Sequence, residues 1–177
     1  YKYNKIQNCK QELEAVKRKW KDTLERLQVY TPIESMNIML NGWALYQTIS
    51  SRLYGRTGFY QSGGAYGFRD QLQDTLCLKY TNPNKVKEQI IKHSMHQFIE
   101  GDVEHWWHEE TSRGIRTRFS DDLLWLPFMV EEYIEATGDS EILEIKTPYL
   151  QGEVLKEDEI LSYRDKYIGG SKTGCSK

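Results

Sequence analysis

Apolar residues recur at spacings of three and four along most of this chain, which commits it to amphipathic helices packed by one face. Between Lys10 and Leu27 the stripe is Leu13, Val16, Trp20, Leu24 and Leu27, set against a strongly charged outer face. Thr31 and Pro32 read as an N-cap and a first helical residue. Ile33, Met36, Met39, Leu40, Trp43 and Tyr46 then form a second stripe, in a helix expected to end near Gly55. A third helix is predicted over Phe68 to Tyr80. A fourth starts at Asn82-Pro83 and carries Val86, Ile90, Ile91, Met95 and Phe98. Ser120-Asp121-Asp122 opens the most apolar segment, Leu123 to Ile134, which stops at Gly138 and contains Pro127 as a possible kink. No strand of convincing length is predicted, so the expected class is all-α.

Two stretches break the rhythm, Gly55 to Gly67 and Gly101 to Phe119, and both read as long irregular loops. Loops of that length inside a helical array are uncommon and often functional. The first carries four glycines between 58 and 67 with Phe59, Tyr60, Tyr66, Arg56 and, just beyond, Phe68, Arg69 and Asp70. Flat apolar faces beside bidentate polar groups suit a sugar, with its apolar ring face and rim of hydroxyls. The plainer alternative is a salt network of Arg69 with Asp70 or Asp74, with the aromatics in the core. The glycine spacing does not match dinucleotide or P-loop fingerprints.

The second stretch holds Trp106-Trp107, costly to expose and so expected in a pocket or the core. His93, His96, His105 and His108 show no HExxH spacing, and solvated or core histidines are the expected reading, with no metal. The acids of Ser120-Asp121-Asp122 either cap the helix and favour its positive end, or place a carboxyl in a cleft as a proton donor. Both hold if one acid caps and the other points inward.

Charge and composition narrow the function. The 177 residues carry 24 Lys+Arg against 26 Asp+Glu, a net charge of -2. That balance argues against a protein that works by neutralising phosphates of a nucleic acid. The Lys17-Arg18-Lys19 cluster alternates with acids and reads as a solvated face. No apolar run reaches membrane-spanning length and no leader is visible near Tyr1. Cys9, Cys77 and Cys175 do not form a disulfide framework, and a reducing, cytoplasmic location is the expectation. A start without Met and the small polar end from Gly169 to Lys177 read as a piece of a longer chain.

Several long strings together resemble glycoside hydrolase family 94. They are Gln61-Ser62-Gly63-Gly64-Ala65-Tyr66-Gly67-Phe68-Arg69-Asp70-Gln71-Leu72-Gln73-Asp74, Gly101 to His108, Arg113 to Pro127, and Tyr133 to Asp139. The Gly64-Ala65-Tyr66 form of the first loop, the Trp pair and Thr147 to Gly152 are most similar to the β-1,2-glucan synthase branch of that family. The resemblance runs over roughly residues 10 to 160. It implies an incomplete (α/α)6 barrel of the six-hairpin glycosidase type. Residues 1–30 would then form a linker-like helix and 31–177 the N-terminal part of the catalytic domain. Only about five of the twelve barrel helices are present, so apolar helix faces are expected to lie uncovered.

The implied reaction is that of a glycosyltransferase, an inverting glycoside phosphorylase. Inorganic phosphate attacks a β-glucoside to give α-glucose 1-phosphate and a shortened glucan, with phosphate as co-substrate and no cofactor. Asp121 matches the position of the acid that protonates the leaving oxygen. Arg56, Gln61, Arg69, Asp70, Trp106, Trp107, Phe119 and Asp122 match substrate-binding positions or their immediate neighbours. The first loop lacks the extra arginine of cellobiose-specific members, and Phe119 stands where they usually carry Trp. These departures point away from cellobiose and toward a β-1,2-linked glucan. The main phosphate-binding residues are expected downstream, so the stretch alone is expected to be nearly inactive, and the full-length protein is a candidate homodimer. The rivals are a hydrolase on the same fold, with Glu104, Glu109 or Asp122 as base, and a non-catalytic carbohydrate-binding helical module.

Overall fold

The computed structural model describes residues 2–56 and 63–164. Phe59, Tyr60 and Gln61 of the glycine-rich loop therefore lie outside the described residues, as does the tail from 165 on. The chain divides into two units, Tyr1–Thr48 and Ile49–Lys177.

The first unit begins with a short 3-10 turn, Lys2–Asn4, and the helix α1, Ile6–Leu24. Its second helical run comprises α2 (Glu34–Ile38), a π segment (Met39–Trp43) and α3 (Ala44–Gln47). This run starts two residues later than Pro32, with Ile33 at the N-cap. Thr31 is occupied otherwise: its backbone N–H and hydroxyl both donate to Asn37 Oδ1, at 2.7 and 2.8 Å. Asn41 likewise bonds both backbone groups of Val29. The two asparagines thus satisfy the backbone of the connection between helices. Trp20 packs on Tyr46 with ring centres 4.8 Å apart. The predicted stripe stays uncovered, with Leu13, Val16, Ile33, Met36, Leu40 and Trp43 all exposed.

A further π segment, Thr48–Tyr54, starts at the last residue of the first unit, continues into the second and ends beside Gly55 as expected. The second unit then builds β1 (Tyr66–Gly67), α4 (Phe68–Thr75), a 3-10 turn (Leu76–Leu78) and α5 (Pro83–Ser94). After these come β2 (Glu104–His108), β3 (Arg113–Thr117), α6 (Asp122–Thr137), a 3-10 turn (Ser140–Glu144) and β4 (Leu161–Arg164). The Asn82-Pro83 start is met: the Asn82 side chain accepts Lys85 N–H and Pro83 occupies the first turn. α6 stops at Gly138, which takes φ 72 and returns its N–H to Ile134. α4, α5 and α6 pack on one another around Phe68, Leu72, Val86, Ile90, Met129 and Tyr133. Leu123, Leu124 and Phe128 on the outer side of α6 remain exposed.

A four-stranded antiparallel sheet, in the order β1-β2-β3-β4, corrects the all-α expectation. The segment 101–119, read as a loop, is largely its central hairpin. Alternation of apolar and polar residues is the sequence sign of a strand, and here it is absent for a physical reason. The buried positions include Glu104, Gly114 and Arg116. The Arg116 guanidinium lies 3.9 Å from the Phe98 ring centre and reaches Asp102, Glu100 and the Glu153 carbonyl. A charge satisfied inside a sheet looks like a loop residue in sequence. A register irregularity between Glu104 and Trp106 blurs the pattern further.

Candidate active site

The glycine-rich segment turns into α4 through a close backbone approach. Gly67 N–H donates to Gln71 Oε1 at 2.5 Å, and a Cβ on Gly67 would overlap the Asp70 carboxyl. This turn forms one wall of a cleft of about 360 Å³, whose lining includes Arg52, Arg56, Tyr66, Asp70 and Trp106. Arg56 has φ 50, and its guanidinium lies 4.8 Å from the Tyr66 ring centre while holding Glu110 at 2.7 Å. Its Nε is buried and has no hydrogen-bond partner among the described residues. On the same wall Arg52 binds Asp74 at 2.7 Å and approaches Asp70 at 3.6 Å. Burial pushes the Asp74 carboxyl up, against the opposing pull of Arg52.

The two aspartates at the start of α6 separate. Asp121 holds the N-cap position but makes no side-chain capping bond. Its carboxylate accepts Arg69 Nη1 at 2.9 Å and is about half exposed. Asp122 is buried, and its Oδ2 accepts His105 Nδ1–H at 2.6 Å. His105 also meets the Phe119 ring edge-on at 4.8 Å. The hydrogen bond to Asp122 holds the His105 imidazole above its ordinary range against partial burial, helped by the charges of Asp70 and Asp121. Asp122 thus holds the ring directly, while Asp121 pairs with Arg69 and Asp70 lies near Arg52.

The hairpin behind the cleft is held by aromatic stacking. Trp107 is core: it lies parallel to Tyr66 at 5.3 Å and to His96 at 3.7 Å. His93 is fully buried, bonded to the Gln89 carbonyl at 2.8 Å, and burial pushes it down to about 3. His96 Nδ1 lies 2.7 Å from Glu104 Oε2. Burial pushes Glu104 up to about 8 and His96 down to about 4, which favours the uncharged form of each. Glu109 pairs with Arg56 and with Lys92, which also donates to the Tyr66 hydroxyl.

Arg56, Asp70 and Trp106 thus line the cleft. Arg69, chain neighbour of Asp70, reaches Asp121. Phe119 and Asp122 flank Asp121 and both touch His105. Trp107 faces the core, and Gln61 lies outside the described residues. The plain salt-network reading is half met: Tyr66 and Phe68 are buried, but Asp74 and Asp70 pair with Arg52, leaving Arg69 for Asp121. Sequence reasoning missed Arg52 and His105. Arg52 falls on the π segment, one helical turn before the irregular stretch, and His105 was one of four histidines with no spacing to single it out. Among the described residues, no group of His, Cys, Asp and Glu is arranged to hold a metal ion.

A cleft of this size, lined by two arginines, the Asp70 carboxylate and the aromatic side chains of Tyr66 and Trp106, has the chemistry of a saccharide site. The chain belongs to the glycosyl hydrolase 94 superfamily, whose catalytic domain matches residues 19–167. It is 44% identical to cyclic beta-(1,2)-glucan synthase NdvB of Rhizobium meliloti over 147 residues, 83% of this chain and 5% of that protein. It is 31% identical to solabiose phosphorylase of Paenibacillus borealis, covering 71% of this chain and 15% of that protein. It is 25% identical to N,N'-diacetylchitobiose phosphorylase of Vibrio proteolyticus, covering 99% of this chain and 26% of that protein. The chain thus spans about a quarter or less of the length of these relatives. No helix among the described residues is long and apolar enough to cross a membrane.

Proposed function

We propose that this chain supplies the acid and part of the sugar-binding wall of an inverting glycoside phosphorylase acting on β-linked glucans, with β-1,2 linkages favoured. In the reaction, a phosphate oxygen forms a bond to the anomeric carbon while the bond from that carbon to the glycosidic oxygen breaks. Asp121 gives its proton to the departing oxygen, and the products are α-glucose 1-phosphate and the shortened glucan. Phosphate is already an anion, so no base is needed to activate it. The observation that carries this reading is the freedom of the Asp121 carboxyl from helix capping, together with its 2.9 Å contact to Arg69, the chain neighbour of the cleft residue Asp70. Arg56, Asp70 and Trp106 supply charged hydrogen bonds and an aromatic face for the sugar. Packing of further helices against the exposed side of α6 would complete an (α/α)6 barrel and bring in the phosphate-binding groups.

The engagement of every alternative base disfavours a hydrolase. Glu104 is buried against His96, Glu109 is held by Arg56 and Lys92, and Asp122 is held by His105. The test is release of α-glucose 1-phosphate from β-1,2-gluco-oligosaccharides by the full-length protein, with and without phosphate. Turnover to free glucose without phosphate would instead establish a hydrolase, and saccharide binding without turnover a binding module.

A further inference from the structure

We infer that His105 is a positioning residue that fixes the acid-bearing turn by gripping the residues on both sides of Ser120-Asp121. The inference rests on the reading of Asp121 as the acid, and deepens it. The geometry is that of a clamp. On one side the His105 Nδ1–H donates to Asp122 Oδ2 at 2.6 Å. On the other the same ring meets Phe119 edge-on at 4.8 Å. The ring is anchored in turn by β2, where its chain neighbour Trp106 pairs with Ile115 of β3. Asp122 is buried, so its carboxyl has little water to fall back on, and losing the imidazole would leave a buried polar group without its partner.

The turn needs such support because Asp121 does not brace itself. It makes no capping bond, and among the described residues its carboxylate pairs with Arg69 in an exposed contact, a weak restraint on its own. Asp70, Asp121 and Asp122 all act on the His105 charge, and the bond to Asp122 keeps the ring protonated higher in pH than a free histidine. This role uses the ring's shape, its Nδ1–H and its place on a strand, and needs no contact with substrate.

The test compares full-length wild type with His105→Asn, His105→Gln and Asp122→Asn, assayed by phosphorolysis of β-1,2-gluco-oligosaccharides. The asparagine amide nitrogen falls near the place of Nδ1, whereas the glutamine amide reaches past it, toward the place of Nε2. His105→Asn is expected to stay within about tenfold of wild-type kcat. His105→Gln is expected to lose on the order of a hundredfold, as outer partners of reactive groups do, with KM changed by less than about threefold. Groups acting as one unit give non-additive losses, so His105→Gln combined with Asp122→Asn should be no slower than the worse single variant. Equal rates for the asparagine and glutamine variants, additive losses, or a loss confined to KM would overturn the role of His105. Loss of the glutamine variant to misfolding is recognised by its melting curve. The asparagine variant then decides alone: a kcat loss beyond a hundredfold in folded protein refutes the clamp, and near-wild-type kcat supports it. A wild type that releases no α-glucose 1-phosphate from any β-glucan refutes the phosphorylase reading itself, a result separate from all of these.

Discussion

Replacing Glu104 with glutamine should flatten the alkaline side of the protein's stability profile. Glu104 is 2% exposed, and burial raises its carboxyl from the ordinary 4.5 to about 8. Between those values the folded state holds a proton that the unfolded state has released. Stability therefore falls as pH rises through this window, with a slope approaching about 1.4 kcal/mol per unit. The opposite sign applies to His93 and His96, lowered by burial from 6.5 to about 3 and about 4. Below pH 6.5 the unfolded state gains protons that these two refuse, so stability falls as pH drops. Their combined effect outweighs that of the single glutamate, which places the maximum near pH 6.5 among these three groups. From pH 6.5 to 8 the Glu104 contribution falls by about 1.5 kcal/mol, offset in part in the wild type as the half-protonated histidines of the unfolded state finish titrating. The glutamine amide keeps a donor for His96 and does not titrate. Urea unfolding at the two pH values, read by tryptophan fluorescence with Trp107 stacked on His96 as a local reporter, measures the difference. The histidines are common to both proteins, so the stability of the variant relative to wild type should rise by about 1.5 kcal/mol at the higher pH. A gap that stays constant would refute a protonated, buried Glu104.

Gly114→Ala places a Cβ against the Glu104 carboxyl and the Trp106 carbonyl. It should cost about 2 kcal/mol, the scale of overpacking, visible as a lowered denaturation midpoint. Arg116→Ala removes a side chain of 1% exposure that binds Asp102, Glu100 and the Glu153 carbonyl. Its loss should destabilise by about 3 kcal/mol through the partners left behind, and a double-mutant cycle with Asp102→Asn should show strong coupling.

The helices were legible because apolar residues recur at helical spacing, on one face of α1, α4 and α5 and around most of α6. Asn82-Pro83 and Gly138 marked a start and a stop through chemistry that is local to the backbone. The sheet was not legible, because Glu104, Gly114 and Arg116 occupy buried positions that sequence patterns reserve for apolar side chains. Their partners, His96, Asp102 and Glu100, lie 8 to 16 residues away and are visible only in three dimensions. The site divides the same way. Asp121, Arg69 and Asp70 stood out as motif residues, and Trp106 and Trp107 as aromatics too large to leave idle. Only the fold sends Trp107 to the core and Trp106 to the cleft, since adjacent strand residues face opposite sides. Arg52 and His105 gain their meaning from contacts 22 and 17 residues away.

The central claim is that Asp121 is the proton donor of a phosphate-dependent cleavage. Full-length wild type and Asp121→Asn should be incubated with β-1,2-gluco-oligosaccharides and inorganic phosphate, and α-glucose 1-phosphate measured. Wild type should form it only when phosphate is present. Asp121→Asn should lose about a thousandfold in kcat, within the range for a general acid, with an unchanged melting curve because the side chain is half exposed. Product formation by Asp121→Asn at a rate close to wild type would contradict the account.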